Sequence, residues 1–400
     1  MTYYILIAFC AMILLAYFFD ITAKYSKIPG VLLLILTGIG INCLADYFSM
    51  YIPEINKILP VMGTLGLVLI VLEGSMDLTL RKNKTRLITG SLFSSISLLL
   101  IFVFVFTCIA VFFFHYDIKT SLINIIPIAI ISSAVAIPSA VGLSTDDKEF
   151  VTYESSLSDI IGILFFNLIY FSDGNVFSGV FIFFTQLIIM LIFSVLFSAG
   201  LAVLLHKINH NVKYVIIMTA IVLVYALAKL FHLPALLVVL IFGLVMNNNV
   251  FFKNILSAQI INFEEFNTDL NSFKNIVAEL TFIIRSFFFI LFGFYTSISD
   301  LMSLKNLLIA LIIAASIFIF RALFFKIALR VPLNPLLFFA PRGLVTILLF
   351  LSIPATMLLP VINVGVITQV IFMTILVMTF GNMIFQKTDQ FAGSGIKKNE

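Results

Sequence analysis

The sequence predicts an all-α integral membrane protein of about thirteen transmembrane helices. Three observations carry that expectation. Of 400 residues, 62% are hydrophobic and only 10% charged, with a mean hydropathy of +1.21. Apolar runs about as long as a bilayer-crossing helix follow one another along the chain. Lysine and arginine are dense in alternate loops and sparse in those between. A soluble domain carries roughly 25% charged residues because its surface faces water. Lipid must be the solvent for most of this chain.

A hydrocarbon core of roughly 30 Å takes about 20 apolar residues per helix. Runs fall near 3–23, 28–48, 58–78, 88–115, 121–143, 150–171, 177–205, 213–231, 233–249, 277–298, 306–329, 335–356 and 364–385. Only a tight turn at His232-Leu233-Pro234 separates the eighth from the ninth. The polar stretch 250–275 reads as a loop with an amphipathic piece on the surface. The first run has no small-residue cleavage pattern and reads as a retained span. Cys10, Cys43 and Cys108 have no metal-like spacing and read as buried, inert thiols.

Orientation follows from the basic residues. With the N-terminus outside, only Lys57, Lys119 and Lys305 lie in outside loops, and Lys229, Arg285, Arg321 and Arg342 lie within spans. The rest of the 23 lysines and arginines then face inside, which predicts an inner-membrane protein with a cytoplasmic C-terminus. An odd number of spans permits two inverted six-helix repeats around one linker helix. Repeat one covers about 3–171, the linker about 177–205 and repeat two about 213–385, with 386–400 as a short cytoplasmic tail. No soluble regulatory domain is expected. The fifth run carries Ser132-Ser133-Ala134 between Pro127 and Pro138, and the twelfth carries Ala340-Pro341-Arg342-Gly343 before Pro354. Each reads as a helix interrupted near its middle, at matching places in the two halves.

Ionisable groups inside a span cost at least ~2.5–3.5 kcal/mol on insertion scales, so each needs a partner or a function. The sixth run contains Glu154-Ser155-Ser156-Leu157-Ser158-Asp159. Residues four apart share a helix face, which puts Ser155 on the face of Asp159 with Ser156 beside it. Glu154 lies about 140° round the axis from Asp159. A carboxylate among hydroxyls and freed carbonyls offers the oxygen environment that a hard monovalent cation accepts. Removal from water disfavours the charged form of a carboxyl, so a proton and a cation compete for it. The alternative for Asp159 is a neutral side chain satisfied by one hydrogen bond.

Glu154 reads as the partner of the intramembrane Arg321. Arg342, at the second break, balances helix-end dipoles or pairs with a carboxylate. Arg285 sits near the inside end of its expected span, close enough to snorkel. Glu73 is either a helix-end carboxylate near water or a second acid facing the cavity of Asp159. His115, His206, His210 and His232 all fall at span ends, and none is assigned to catalysis or metal binding. No phosphate loop, nucleophile elbow or His/Cys ligand spacing is present, so no enzyme is expected. The net charge of +4 comes from scattered residues, without the basic-aromatic patch that nucleic acid needs.

These residues resemble the monovalent cation:proton antiporters, in particular the sodium/proton exchanger (NhaP-like) branch. That family's sixth span carries a Glu-Ser-Leu-(Leu)-Asn-Asp type motif, which here reads Glu154-Ser155-Ser156-Leu157-Ser158-Asp159. Ile28-Pro29-Gly30, the run Phe289-Ile290-Leu291-Phe292-Gly293, Arg321 and Ala340-Pro341-Arg342-Gly343 are similar to family features too. The resemblance covers nearly the whole chain. It implies an NhaA/NhaP-like fold, with broken helices that cross and move against a dimerisation domain. It also implies a homodimer in lipid. By the same resemblance Asp159 binds the cation and the proton, Ser155 supplies a coordinating hydroxyl, Glu73 matches a third-span glutamate, and Glu154 with Arg321 forms a structural ion pair.

The sequence departs from that pattern twice. The fifth-span Thr-Asp-Pro of exchanger-type members aligns with Ser132-Ser133-Ala134, which keeps a hydroxyl and loses the helix-capping carboxylate. Ser158 stands where an asparagine precedes the key aspartate. Such serine patterns are similar to the potassium-linked and efflux branches. The expected activity is exchange of Na⁺ or K⁺ for H⁺ by alternating access, with no cofactor beyond the transported ions. The expected cation set draws on Asp159, Ser155, Ser158, Ser132, Ser133 and Glu73. Two alternatives stand beside it: transport of an anion past Ser132, Ser133 and Arg342, or a membrane sensor that no longer transports.

Overall fold

Backbone N–H and C=O groups find no water inside a bilayer, so a spanning chain must satisfy them internally, and a run of apolar residues does so as helix. The computed structural model describes residues 2–26, 28–48, 55–78, 84–170, 176–207, 212–231, 233–248 and 263–394, and no strand occurs among them. The helices are α1 (Thr2–Ser26), α2 (Gly30–Tyr47), α3 (Ile55–Asp77), α4 (Thr85–Phe114), α5 (Ile118–Ala129), α6 (Ser133–Ser139), α7 (Thr145–Tyr170) and α8 (Val176–Lys207). They continue with α9 (Lys213–Leu230), α10 (Leu236–Asn247), α11 (Phe263–Tyr295), α12 (Ile298–Leu301), α13 (Leu304–Phe324), α14 (Leu344–Leu351) and α15 (Val364–Ser394).

Each of the thirteen expected runs coincides with one of these helices or with an interrupted segment. Among the described residues, eight stretches are long and apolar enough to cross a membrane, and 188–204 and 236–247 are shorter apolar helices. The buried acids and serines of α7 keep it below that apolarity although its length suffices. Large apolar side chains stand exposed along α1 (Leu6, Ile7, Leu14) and α4 (Phe104, Phe112, Phe113), as lipid-facing surfaces require. Cys10 and Cys43 also lie on exposed surface, which corrects the expectation of buried thiols: a small apolar side chain is as stable against lipid as in a core.

Three segments differ from the expected outline. The stretch 263–275 is helical and continuous with the span after it, so α11 begins well before residue 277. The twelfth run is not a helix broken in its middle: only a 3-10 turn, Leu336–Phe338, precedes the break, and α14 follows. Arg285 consequently lies deep within α11 rather than near its end, and its guanidinium donates to the Ala134 carbonyl at 3.3 Å.

The chain divides into two compact units, 1–63 with 87–162 and 285–400, and 64–86 with 163–284. In the first, α2 meets the end of α11 backbone to backbone: a Cβ on Gly38 would strike the Ile290 carbonyl, and one on Gly293 the Ile35 carbonyl. In the second, α10 packs on α8 and α9. Asn247 and Asn248 donate to the Leu78 carbonyl at 3.1 and 3.3 Å, and Lys213 pairs with Asp269 at 2.5 Å.

Candidate functional site

The site forms in the first unit, where two breaks meet. Pro127 and Pro138 lie within α5 and α6, and the chain between these helices, 130–132, is extended. Two of its freed N–H groups find partners elsewhere. Ile131 N–H donates to the Ser158 hydroxyl at 3.0 Å, and Ser132 N–H to the Pro341 carbonyl at 2.9 Å. Irregular backbone at membrane depth is tolerated where it is buried in protein, and these two bonds are part of how it is held there.

The second break is held in the same way. Arg342 N–H donates to Thr374 Oγ1 at 3.0 Å, and its Nε to the Ile128 carbonyl, in the last turn of α5, at 2.6 Å. Gly343 is required by close approach, since a Cβ there would lie 2.5 Å from Ser132 Oγ and 2.9 Å from Ser132 Cβ. Asn124 braces the two segments further along. Its amide donates to the Met357 carbonyl at 2.7 Å and accepts from Leu359 N–H at 3.2 Å.

Asp159 projects from α7 into this crossing and is 2% exposed. Its two oxygens have different surroundings. Oδ2 accepts the Ser133 N–H at 3.0 Å and the Ser133 hydroxyl at 2.5 Å. Oδ1 is buried without a hydrogen-bond partner, as are Ser132 Oγ and Ser156 Oγ. Ser132, the residue before α6, makes no side-chain cap. The carboxylate at this helix start is that of Asp159, which reaches it from α7.

Glu154 occupies the other side of α7. It meets Arg321 of α13 in a two-pronged pair, Nη1–Oε1 2.8 Å and Nη2–Oε2 2.6 Å, with both side chains 1% exposed. Ser94 donates to the same carboxylate at 2.5 Å, Arg321 also donates to the Leu336 carbonyl, and its guanidinium lies 4.5 Å from the Phe325 ring centre. One carboxylate is thus saturated with donors, and the other keeps an oxygen free.

The remaining expected residues are placed as follows. Ser155 gives its proton to the Val151 carbonyl at 2.7 Å, leaving its oxygen lone pairs on the face of α7 shared with Asp159. Ser158 serves the break through Ile131 rather than the carboxylate. Glu73 lies in the other compact unit and is half-buried. His210 and His232 fall outside the described residues, and among those described no three His, Cys, Asp or Glu side chains group as a metal site. Sequence reasoning missed Ser94, Asn124 and Thr374. The available signal was a polar side chain inside an apolar run, although nothing local names the partner.

An all-helical membrane chain whose interrupted segments cross beside a buried carboxylate has the NhaA/NhaP-like antiporter fold. The chain belongs to the sodium/hydrogen exchanger family, whose transmembrane model matches residues 8–387. A solved structure of the sodium proton antiporter MjNhaP1 from Methanocaldococcus jannaschii, at pH 8, aligns with a TM-score of 0.67 and 19% identity, covering 95% of this chain and 98% of that one. An electron-microscopy map of the same archaeal antiporter gives a TM-score of 0.66 and 18% identity, with 98% of each chain covered. No curated protein matches the chain significantly.

Proposed function

We propose that this protein is a secondary active antiporter exchanging a monovalent cation, Na⁺ or K⁺, for H⁺ by alternating access. The observation that carries the reading is the unequal treatment of the two Asp159 oxygens. Ser133 fixes Oδ2 with two donors, while Oδ1 is buried without a partner, in a unit where Ser132 Oγ and Ser156 Oγ are unpartnered too. An orphaned buried acceptor is costly, and either a proton or a cation on Oδ1 removes that cost. Binding one excludes the other, and this competition is the chemistry of exchange. Membership of the exchanger family and likeness to a sodium proton antiporter support the same reading.

Among the described residues, one carboxylate at the crossing lacks saturation by donors, so exchange is one cation for one proton and electrically neutral. The protein acts as a homodimer in the inner membrane, N-terminus outside, and a monomeric mass in lipid nanodiscs would contradict the dimer. The test is dequenching of a pH-sensitive dye in proteoliposomes holding a proton gradient, with Na⁺, K⁺ and Li⁺ added in turn. A cation-dependent signal lost in Asp159→Asn is expected. A flat response from folded protein would overturn antiport and favour the anion or sensor alternatives. A current that follows the membrane potential would overturn neutrality alone.

A further inference from the structure

Arg342 is a charge that the exchange chemistry does not use. It is 3% exposed, with Nε on the Ile128 carbonyl and Nη1 on the Ala340 carbonyl at 3.1 Å. Among the described residues no carboxylate pairs with it, and Nη2 has no acceptor. An unpaired charge in a core is far more costly than a paired one. Arginine cannot relieve that cost by losing its proton.

The side chain borders a cavity of about 20 Å³ that it shares with Arg321, Ser95 and Ser158, closed on its apolar side by Leu99 and Phe102. A space of roughly 10–15 Å³ already admits a particle the size of water. Most donors around the cavity are spent: Arg321 on Glu154 and Leu336, and Ser95 on the Leu92 carbonyl at 3.0 Å. Two remain. The Ser158 hydroxyl accepts from Ile131 and has no acceptor for its own proton, and Arg342 Nη2 has none for either of its protons. No acidic side chain lines the space. A water can use these donors but cannot balance the guanidinium, as an anion would.

The geometry points to a binding site for a halide-sized monovalent anion, chloride in the cell, held between Arg342 and Ser158 and separate from the transported cation. It neutralises Arg342 where the two broken segments cross, so the folded core depends on the anion supplied. Purified full-length protein would be melted in sodium chloride, sodium bromide and sodium gluconate at equal sodium concentration. A ligand that binds only the native state raises the melting temperature with its concentration. Chloride and bromide are expected to raise it and gluconate not. Loss of one hydrogen bond to an ion weakens binding by roughly tenfold or more, so Ser158→Ala should need that much more halide for the same gain. Crystals grown in bromide should show an anomalous peak beside Arg342. Equal melting in all three salts, halide stabilisation unchanged in Ser158→Ala, or no bromide peak in the cavity would each overturn the proposal. None of these readouts depends on transport, so they fail or succeed independently of the exchange reading.

Discussion

Replacing Glu154 with glutamine removes the charge that balances Arg321 while nearly preserving shape. The guanidinium would keep its two bonds to the Leu336 carbonyl, its contact with Phe325 and one bond to the glutamine carbonyl oxygen, and would lose the opposite charge and its second acceptor, in whose place an NH2 would face it. Removing one partner of a buried pair costs about 3–5 kcal/mol. Arg321→Gln should cost less, because an abandoned carboxyl can take up a proton and a guanidinium cannot release one. The double variant should cost less than the two singles added, with a coupling of roughly 0.5–3 kcal/mol. Each kcal/mol moves the melting midpoint by about 2–4 °C in a chain of 150–250 residues and by less in a longer one, so a drop of several degrees is expected for Glu154→Gln. The assay is size-exclusion recovery after heating in a single detergent. Heating is irreversible there, so the order of midpoints is the readout. A wild-type midpoint for Glu154→Gln, or a lower one for Arg321→Gln, would refute the reasoning.

Gly343→Ala places a Cβ 2.5 Å from Ser132 Oγ; it should cost about 1–3 kcal/mol by overpacking and abolish proton-coupled flux in proteoliposomes. Gly38→Ala should lower the melting temperature sharply, because the new atom would meet the Ile290 carbonyl. Gly40→Ala, with nothing within 4 Å, should be neutral or stabilise by up to about 1 kcal/mol; equal effects of the two would contradict the close crossing of α2 and α11. Asn124→Ala leaves the Leu359 N–H without its acceptor, a loss of about 1–3 kcal/mol that the same melting assay would register.

Much of the fold was legible because the physical rule is coarse. Apolar runs in lipid have few options beyond helix, and basic residues marked the loops. The two breaks were visible as proline and small residues inside apolar runs, and the period of α7 correctly separated Glu154 from Asp159. Local spacing did not reveal the unequal halves of the second break. The start of α11 was hidden because Glu264, Glu265, Asp269 and Lys274 lower the mean hydropathy of a stretch whose Phe266, Leu270, Phe273 and Val277 are nevertheless buried in helical register. Long-range partners were the hardest part. Asn124 meets Leu359 and Ile131 meets Ser158 through backbone N–H groups, which exist at almost every residue and leave no mark in sequence. The reach of Asp159 to the start of α6 became visible only with the crossing assembled.

The central claim is that cation and proton occupy Asp159 in turn. It is tested most directly by initial rates of cation-driven proton flux in proteoliposomes across a series of pH values. Competition at one carboxyl predicts an apparent KM for the cation that rises on acidification, approaching about tenfold per pH unit where the carboxyl is mostly protonated, with the maximal rate unchanged and no flux in Asp159→Asn. A KM independent of pH, or exchange persisting in Asp159→Asn, would contradict it.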